Sequence, residues 1–190
     1  MSVMALTCSV FIATSLDGFV AREDGRIDWL EAANASLPPG EDCGYREFIA
    51  GIDALVLGRR SFERLLAFAS WPYGELPVAV LSRRPLAIPE GLPPSVRATQ
   101  ETPAELVARF AADGARHLCV DGGQTVQSFL AAGLIDELTL TVVPVLLGRG
   151  RPLFGPLAGD VALAHLGTRS WPFGFVQSRY RVLAPRPGRG

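Results

Sequence analysis

The chain has 190 residues, of which 48% are hydrophobic and 19% are charged, and its formal net charge at pH 7 is −1. This length and composition suffice for a full hydrophobic core. The near-neutral charge is not that of a nucleic-acid-binding protein, which usually carries a strongly basic surface, so nucleic acid is not an expected partner. No apolar run reaches the ~18 residues of a membrane-spanning helix, so a membrane is not an expected partner either.

The amino-terminal stretch is apolar but has no Lys or Arg before its apolar residues, which predicts a first β-strand rather than a secretory signal. We therefore expect a cytoplasmic protein. The three cysteines, Cys8, Cys43 and Cys119, lack the spacing of a zinc site, and neither a bound metal nor a disulfide is expected.

Strands and helices alternate along the rest of the chain. The predicted strands are Leu6–Thr14, Asp53–Leu57, Pro77–Leu81, Ser95–Ala98, His117–Val120, Glu137–Val143, Val161–Arg169 and Phe175–Leu183. The predicted helices are Tyr45–Ala50, Ser61–Ala67, Pro103–Asp113 and Thr125–Ala132. A capping box, with Thr102 as the cap and Glu105 three residues later, marks the start of the third helix.

Several strands are continuous apolar runs, which are typical of strands covered by helices on both faces. The pattern therefore predicts an α/β fold, a three-layer α/β/α sandwich. The last strand alternates between apolar and polar residues, which favours an exposed antiparallel edge. No domain boundary is visible, so we predict a single domain over residues 1–184 and a frayed tail over 185–190.

Three predicted strands end in turns that suit a phosphate group. The turn after His117–Val120 reads Asp121-Gly122-Gly123 and leads directly into a helix, whose free N–H groups and dipole attract anions. The other two turns carry serine and arginine, which suit phosphate oxygens. The alternative is an ordinary βα turn with solvated arginines. The predicted nucleotide-binding residues are Gly58, Arg59, Arg60, Ser61, Ser82, Arg83, Gly122, Gly123, Gln124 and Thr125.

Five segments together resemble the dihydrofolate reductase-like superfamily, and within it the branch of the riboflavin-biosynthesis reductase domain. They are FIATSLDGFVAREDGRIDWL (11–30), YREFIAGIDALVLGRRSFE (45–63), VAVLSRRP (78–85), HLCVDGGQTVQSFLAAGLIDELTLTVVPVLLGRGRPLFG (117–155) and FVQSRYRVL (175–183). The resemblance implies a mostly parallel sheet closed by a carboxyl-terminal antiparallel hairpin, a nicotinamide cofactor and a homodimer.

The resemblance also indicates three acceptor-site residues. Asp17 matches the loop that folds over nicotinamide and substrate, which makes it the candidate catalytic acid, although Asp17-Gly18 is also an ordinary turn pair. Asp42 lies close to the family's pterin-binding carboxylate, but it can instead cap the helix from Tyr45, and the folate-type stretch around it is absent. Arg151, in the PVLLGRGRPLF loop, is a candidate for a substrate phosphate or a solvent-facing charge.

These features predict a reductase that uses NADPH rather than NADH, since the arginines exceed what a bare ribose needs. By resemblance its substrate is a pyrimidine or pterin-like heterocycle, such as 5-amino-6-(5-phosphoribosylamino)uracil. The alternatives are a non-catalytic nucleotide-binding protein, a dihydrofolate reductase-type enzyme and a transferase that binds phosphoribosyl ligands.

Overall fold

The computed structural model describes residues 6–183 of the chain. Its strands are β1 (Thr7–Ser15), β2 (Phe19–Ala21), β3 (Ala54–Gly58), β4 (Val78–Leu81), β5 (Val96–Thr99), β6 (His117–Asp121), β7 (Glu137–Val143), β8 (Arg151–Pro152), β9 (Leu163–Ser170) and β10 (Val176–Val182). Its helices are α1 (Asp28–Ala35), α2 (Tyr45–Ala50), α3 (Arg59–Leu65), α4 (Pro103–Ala112) and α5 (Gly123–Ala131).

Eight strands form one sheet in the order β5-β4-β3-β6-β1-β7-β10-β9. The strands from β5 to β7 are parallel, whereas β10 runs antiparallel to both β7 and β9. The predicted mostly parallel sheet with a carboxyl-terminal antiparallel hairpin is therefore confirmed. Strands β2 and β8 form a separate two-stranded sheet.

Helices cover both faces of the parallel strands, as the apolar runs predict. Alternate residues of β3 enter two different cores: Ala54 and Val56 pack with α4 and α5, while Leu55 and Leu57 pack with Phe62 of α3. This division confirms the three-layer α/β/α arrangement. None of the helices among residues 6–183 is long and apolar enough to cross a membrane.

All eight predicted strands are present, with ends within two residues of the prediction. The Thr102–Glu105 capping box is also present, with the Glu105 N–H donating to the Thr102 hydroxyl and the Thr102 N–H donating to the Glu105 carboxylate. The expectation for the last strand was wrong: β10 lies between β7 and β9, so the sheet edge is β9. The predicted tail 185–190 lies outside the described residues, and the division at residue 184 stays a prediction.

Candidate functional site

The three predicted turns lie side by side at one edge of the sheet. Leu57 of β3 is paired with Asp121 of β6, and Gly58 is paired with Leu81 of β4. The carboxyl ends of these parallel strands therefore meet, which is where ligands bind in open α/β sheets. The turns that begin at Gly58, Ser82 and Gly122 are thus parts of one cleft.

Two of the turns pack against each other through their glycines. A Cβ atom on Gly58 would lie 2.6 Å from the Thr125 hydroxyl oxygen, and one on Gly122 would lie 2.5 Å from the Ser61 hydroxyl oxygen. Gly122 also has a φ of 95°, a conformation that other residues seldom adopt. Glycine at both positions brings the hydroxyls of Ser61 and Thr125 to the floor of the cleft.

We expect Gly122→Ala to destabilise the protein more than Gly114→Ala does. Gly114 has a similar φ of 89° but no atom within 4 Å of its added Cβ, so that variant isolates backbone strain of about 1–3 kcal/mol. The difference between the two free energies of unfolding, measured in urea, reports the collision with Ser61. Adding Ser61→Ala to Gly122→Ala removes the hydroxyl and should abolish that difference in stability. Equal destabilisation by the two alanines would contradict the contact.

Helix α5 begins at Gly123, two residues earlier than the predicted start at Thr125. Because the φ of Gly122 turns the chain sharply, the helix starts at once, and its first free N–H groups belong to Gly123, Gln124 and Thr125. A Cβ on Gly123 would lie 3.1 Å from both the Pro152 carbonyl and the Val20 side chain. The start of α5 therefore lies directly beneath the small β2–β8 sheet.

The predicted arginines differ in their surroundings. Arg59 pairs with Glu63 at 2.7 Å within α3, whereas Arg60 and Arg83 are exposed and form no ion pair within the described part of the chain. The buried Ser82 hydroxyl donates to the Arg84 carbonyl at 2.7 Å and so fixes the turn that presents Arg83. The binding of a nucleotide by these residues stays a prediction.

Asp17 connects two loops. Its carboxylate accepts hydrogen bonds from the Ser15 hydroxyl at 2.6 Å and from the N–H groups of Leu147 and Gly148 at 3.1 and 2.7 Å. The Ser15 hydroxyl lowers the pKa of Asp17 most, and the two amides lower it further. At neutral pH the group is therefore an ionised acceptor, which disfavours proton donation. Its catalytic role stays a prediction.

We expect Asp17→Asn to lower the melting temperature at pH 7 and to have less effect in acid. A carboxyl with a lowered pKa adds stability above its unfolded pKa, near 3.8, and this contribution is lost as the pH falls through the folded pKa. Thermal unfolding across this pH range checks the sign. Ser15→Ala removes the largest cause of the shift and should weaken the pH dependence. An unchanged kcat in Asp17→Asn would remove the catalytic assignment.

The two predicted substrate residues have other contacts in the structure. Asp42 accepts from the N–H groups of Gly44 at 2.9 Å and Arg46 at 3.2 Å, so it performs the alternative role of capping α2. The Arg151 Nε donates to the Glu23 carbonyl at 3.1 Å, just after strand β2. Neither contact bears on a substrate, and both substrate roles stay predictions.

A cavity of about 420 Å³ opens on the α2 face of the sheet, lined by Tyr45, Ile49, Leu65, Phe68, Pro72, Tyr73 and Leu76. Burial raises the pKa of Tyr45 to about 12, and burial raises the pKa of Tyr73 even more. Both phenols therefore keep their protons at any physiological pH. The Phe11 ring of β1 packs edge-on against Tyr45 at 5.5 Å between centroids.

Asp121 lies on the cavity side of the sheet, since it shares a strand face with Cys119 of the α2-side core. It is the last residue of β6, and its charge contributes to the raised pKa values of Tyr45 and Tyr73. The side chain keeps some exposure to the cleft but is otherwise enclosed by protein, and this burial raises its own pKa, opposed only by the Gly122 N–H. Burial therefore stabilises the neutral carboxyl, the form that can donate a proton, relative to the ionised carboxylate.

The sequence prediction missed Asp121 and Tyr73 as site residues. Strand periodicity contains a signal for the first, since Asp121 must share a face with Cys119, which packs in the α2-side core. Tyr73 lies in the loop before β4, where no periodicity applies. Among residues 6–183, no group of three or more His, Cys, Asp or Glu is arranged to hold a metal ion.

Comparison with known proteins places this site in a reductase-related fold. A putative riboflavin biosynthesis protein from Shewanella sp. PV-4 is 35% identical, with a TM-score of 0.87, and the match covers 94% of this chain and 100% of that one. The Thermotoga maritima diaminohydroxyphosphoribosylaminopyrimidine deaminase/5-amino-6-(5-phosphoribosylamino)uracil reductase matches with a TM-score of 0.71 at 13% identity, over 94% of this chain and 57% of that one.

The dihydrofolate reductase of Enterococcus faecalis, solved with NADP(H), matches with a TM-score of 0.62 at 17% identity, over 94% of this chain and 97% of that one. The last two likenesses show the fold alone, which is dihydrofolate reductase-like. The family model described as the RibD C-terminal domain matches residues 7–172. With more than half of its length matched, the chain belongs to the RibD C-terminal domain family.

Proposed function

We propose that the protein is an NADPH-dependent reductase of a pyrimidine or pterin-like heterocycle. The observation that carries this proposal is the position of Asp121, a carboxyl of raised pKa that precedes the Gly122-Gly123 turn and lies on the same face of the sheet as the cavity. A reduction needs a nucleotide on one side and an acceptor on the other. Asp121 stands at the boundary between the two.

The cleft fits a dinucleotide phosphate. The backbone at the start of α5 is partly exposed at Gly122 and Gly123 and exposed at Gln124, so its free N–H groups are available to an anion. Arg83 is free of ion pairs within residues 6–183 and offers a charged fork. NADPH, when bound, supplies the hydride, and the protein aligns and binds the reactants. The NADP(H) named with the Enterococcus reductase agrees with this choice.

The cavity suits a flat, uncharged ring. Aromatic and aliphatic side chains make up most of its lining, and none of its lining residues is charged. The two phenols offer hydrogen bonds at the edge of a bound heterocycle, while apolar walls contact its faces. This chemistry favours a pyrimidine or pterin ring, and the uracil derivative named with the Thermotoga protein is the first acceptor to test.

The proposed reaction reduces one C=N or C=O bond of the acceptor. The carbon of that bond would receive the hydride that bound NADPH supplies, and its nitrogen or oxygen would receive a proton from the Asp121 carboxyl. Solvent then reprotonates Asp121 through its exposed side in the cleft. A carboxylic acid kept neutral by burial is well suited to this step.

The test is the loss of NADPH absorbance with a panel of aminopyrimidines, dihydropterins and simple carbonyl compounds, together with product identification by mass spectrometry. We expect turnover with at least one nitrogen heterocycle and none with the simple carbonyl compounds. NADPH binding without oxidation by any member of the panel would instead support the non-catalytic nucleotide-binding protein. If the protein does not bind NADPH, both the NADPH-dependent reductase and the non-catalytic nucleotide-binding protein are rejected.

We also propose that the protein acts in the cytoplasm as a homodimer. Leu163 and Leu166 of β9 and Val176 of β10 are exposed by 40–42%, on the antiparallel end of the sheet. A second copy that covers this end would remove apolar surface from water. Light scattering coupled to size-exclusion chromatography measures the mass in solution.

A further inference from the structure

The lining of the cavity beside α2 is apolar apart from two phenols. It is formed by seven residues of α2, α3 and the segment before β4, which are Tyr45, Ile49, Leu65, Phe68, Pro72, Tyr73 and Leu76. Burial raises the pKa values of Tyr45 and Tyr73, so both phenols are neutral at physiological pH. They can exchange hydrogen bonds with the edge of a ring, but none of the seven side chains offers a positive charge to an anion.

The basic residues next to the lining along the chain are engaged elsewhere. The chain contains no lysine, so each of its 18 basic residues is an arginine. Arg46 of α2 and Arg64 of α3 each adjoin a lining residue in the sequence. The Arg46 Nε pairs with Asp42 at 3.3 Å, and the Arg64 guanidinium donates to the Gly25 carbonyl. Both arginines therefore have partners outside the cavity.

The acidic residues around the cavity oppose the binding of an anion. Asp121 lies on the same face of the sheet as the cavity, and its charge contributes to the raised pKa values of Tyr45 and Tyr73. Glu75 adjoins Leu76 and is exposed. A phosphate monoester carries roughly −1.5 to −2 charges at pH 7, so inside this cavity it would lose its hydration beside negative rather than positive groups. An uncharged ring gains the apolar contacts without that electrostatic cost.

We propose that the acceptor is a heterocycle without a phosphate group, held in the cavity by its ring. The apolar walls contact the faces of the ring, and the phenols of Tyr45 and Tyr73 bind its edge. This inference rests on the proposed function, whose acceptor class it narrows. It separates this protein from the Thermotoga reductase, whose named uracil carries a phosphoribosyl group. The predicted binding of a substrate phosphate by Arg151 is the opposing interpretation.

The experiment is isothermal titration calorimetry of the full chain with two pairs of ligands that differ only in a phosphate group. One pair is 5-amino-6-(5-phosphoribosylamino)uracil and its dephosphorylated form, and the other is uridine 5′-monophosphate and uridine. Excess NADP⁺ is present throughout, because it competes for any phosphate site in the cleft.

We expect the unphosphorylated member of each pair to bind at least as tightly as the phosphorylated member. A site that recognises the phosphate would instead favour the phosphorylated member by about tenfold to a hundredfold, the effect of one charge-assisted hydrogen bond. If the phosphorylated member of either pair binds more than threefold tighter, or if none of the four ligands binds, the proposal is overturned.

Phe68→Arg tests whether the ring lies in this cavity. Phe68 lines the cavity and is 49% exposed, so an arginine at this position adds a cation without filling the core. Phe68→Gln is the matched control, because it removes the same ring without adding a charge. Melting temperatures without ligand verify that both variants are folded.

We expect the phosphorylated ligands to bind about tenfold more tightly to Phe68→Arg than to Phe68→Gln, and the unphosphorylated ligands to bind equally to both variants. Equal affinity of the two folded variants for the phosphorylated ligands would place the ligand outside the cavity and overturn the proposal.

These outcomes are distinguishable from the failure of the proposed function. If the unphosphorylated rings bind as expected but the protein oxidises no NADPH with any acceptor, the preference of the cavity stands and the reductase function fails. If NADPH is oxidised with phosphorylated acceptors alone, the reductase function stands and this inference fails.

Discussion

Asp121→Asn is expected to lower kcat by about 10²- to 10⁴-fold without changing the dissociation constant of NADPH, because a positioned general acid contributes an acceleration of that size. Asn keeps the shape of the side chain and a hydrogen-bond donor but has no proton to give. The measurements are steady-state kinetics with the best acceptor and calorimetric titration of NADPH. A kcat within threefold of wild type would show that the proton comes from solvent and not from Asp121.

The same substitution has a predicted effect on stability with a definite sign. The pKa of Asp121 is raised from 3.8 by burial, so the wild-type protein loses stability as the pH rises from that value through the folded pKa. Asp121→Asn avoids this loss, and its advantage in free energy of unfolding should grow across that range. Asp53→Asn is the control of opposite sign, since the Arg116 N–H lowers the pKa of Asp53. An advantage that does not change with pH would contradict the buried-acid interpretation.

The strands of the sheet could be predicted from the sequence because the residues that determine each strand lie within it or directly beside it. Runs such as Asp53–Leu57 and Pro77–Leu81 are short, apolar and bounded by turn residues, and each became a buried parallel strand within a residue or two. The capping box at Thr102 is equally local, and it formed as predicted. In each case the decisive interactions lie within a few residues along the chain.

The small β2–β8 sheet could not be predicted in this way. Its strands have three and two residues, which is too short for any periodicity, and Phe19 pairs with Pro152 from a distant part of the chain. The surroundings of Gly123 depend on this pairing, since the Pro152 carbonyl and Val20 occupy the space beside it. The same pairing brings Arg151 beside Ala21, where its guanidinium donates to the Glu23 carbonyl.

The candidate site was predicted in part, for a related reason. The turns at Gly58, Ser82 and Gly122 follow from strand ends, and parallel strands must bring such ends to one edge. The cavity beside α2 depends instead on Phe68, Pro72, Tyr73 and Leu76 of the segment before β4, and no local pattern predicts that these residues pack there. For Asp42 the short-range alternative is the one that the structure shows, since its carboxylate accepts hydrogen bonds from the Gly44 and Arg46 N–H groups, and its substrate role stays a prediction.

Arg83→Glu is expected to raise the Michaelis constant for NADPH by about tenfold to a hundredfold and that for NADH by less than threefold, since a charge-assisted hydrogen bond to phosphate contributes about 1.5–3 kcal/mol. Only NADPH carries the 2′-phosphate, so only its binding should depend on this charge. Arg83 is a better position for this test than Arg59, because a glutamate in place of Arg59 would also repel Glu63 within α3.

Arg97→Glu on β5 is the matched control, because Arg97 is exposed on the strand next to β4 and its Nε donates a long hydrogen bond of 3.5 Å to the Pro94 carbonyl. It changes the net charge equally without touching the predicted turn, so both Michaelis constants should stay near their wild-type values. The hydrogen bond from the Ser82 hydroxyl to the Arg84 carbonyl remains in both variants, so the turn should keep its conformation. A change of fold would therefore not explain a rise in the Michaelis constant for NADPH alone. If Arg83→Glu raises the constants for NADPH and NADH by the same factor, Arg83 contacts a part that the two cofactors share, and a preference for NADPH must come from another residue, of which Arg59 is the next to test.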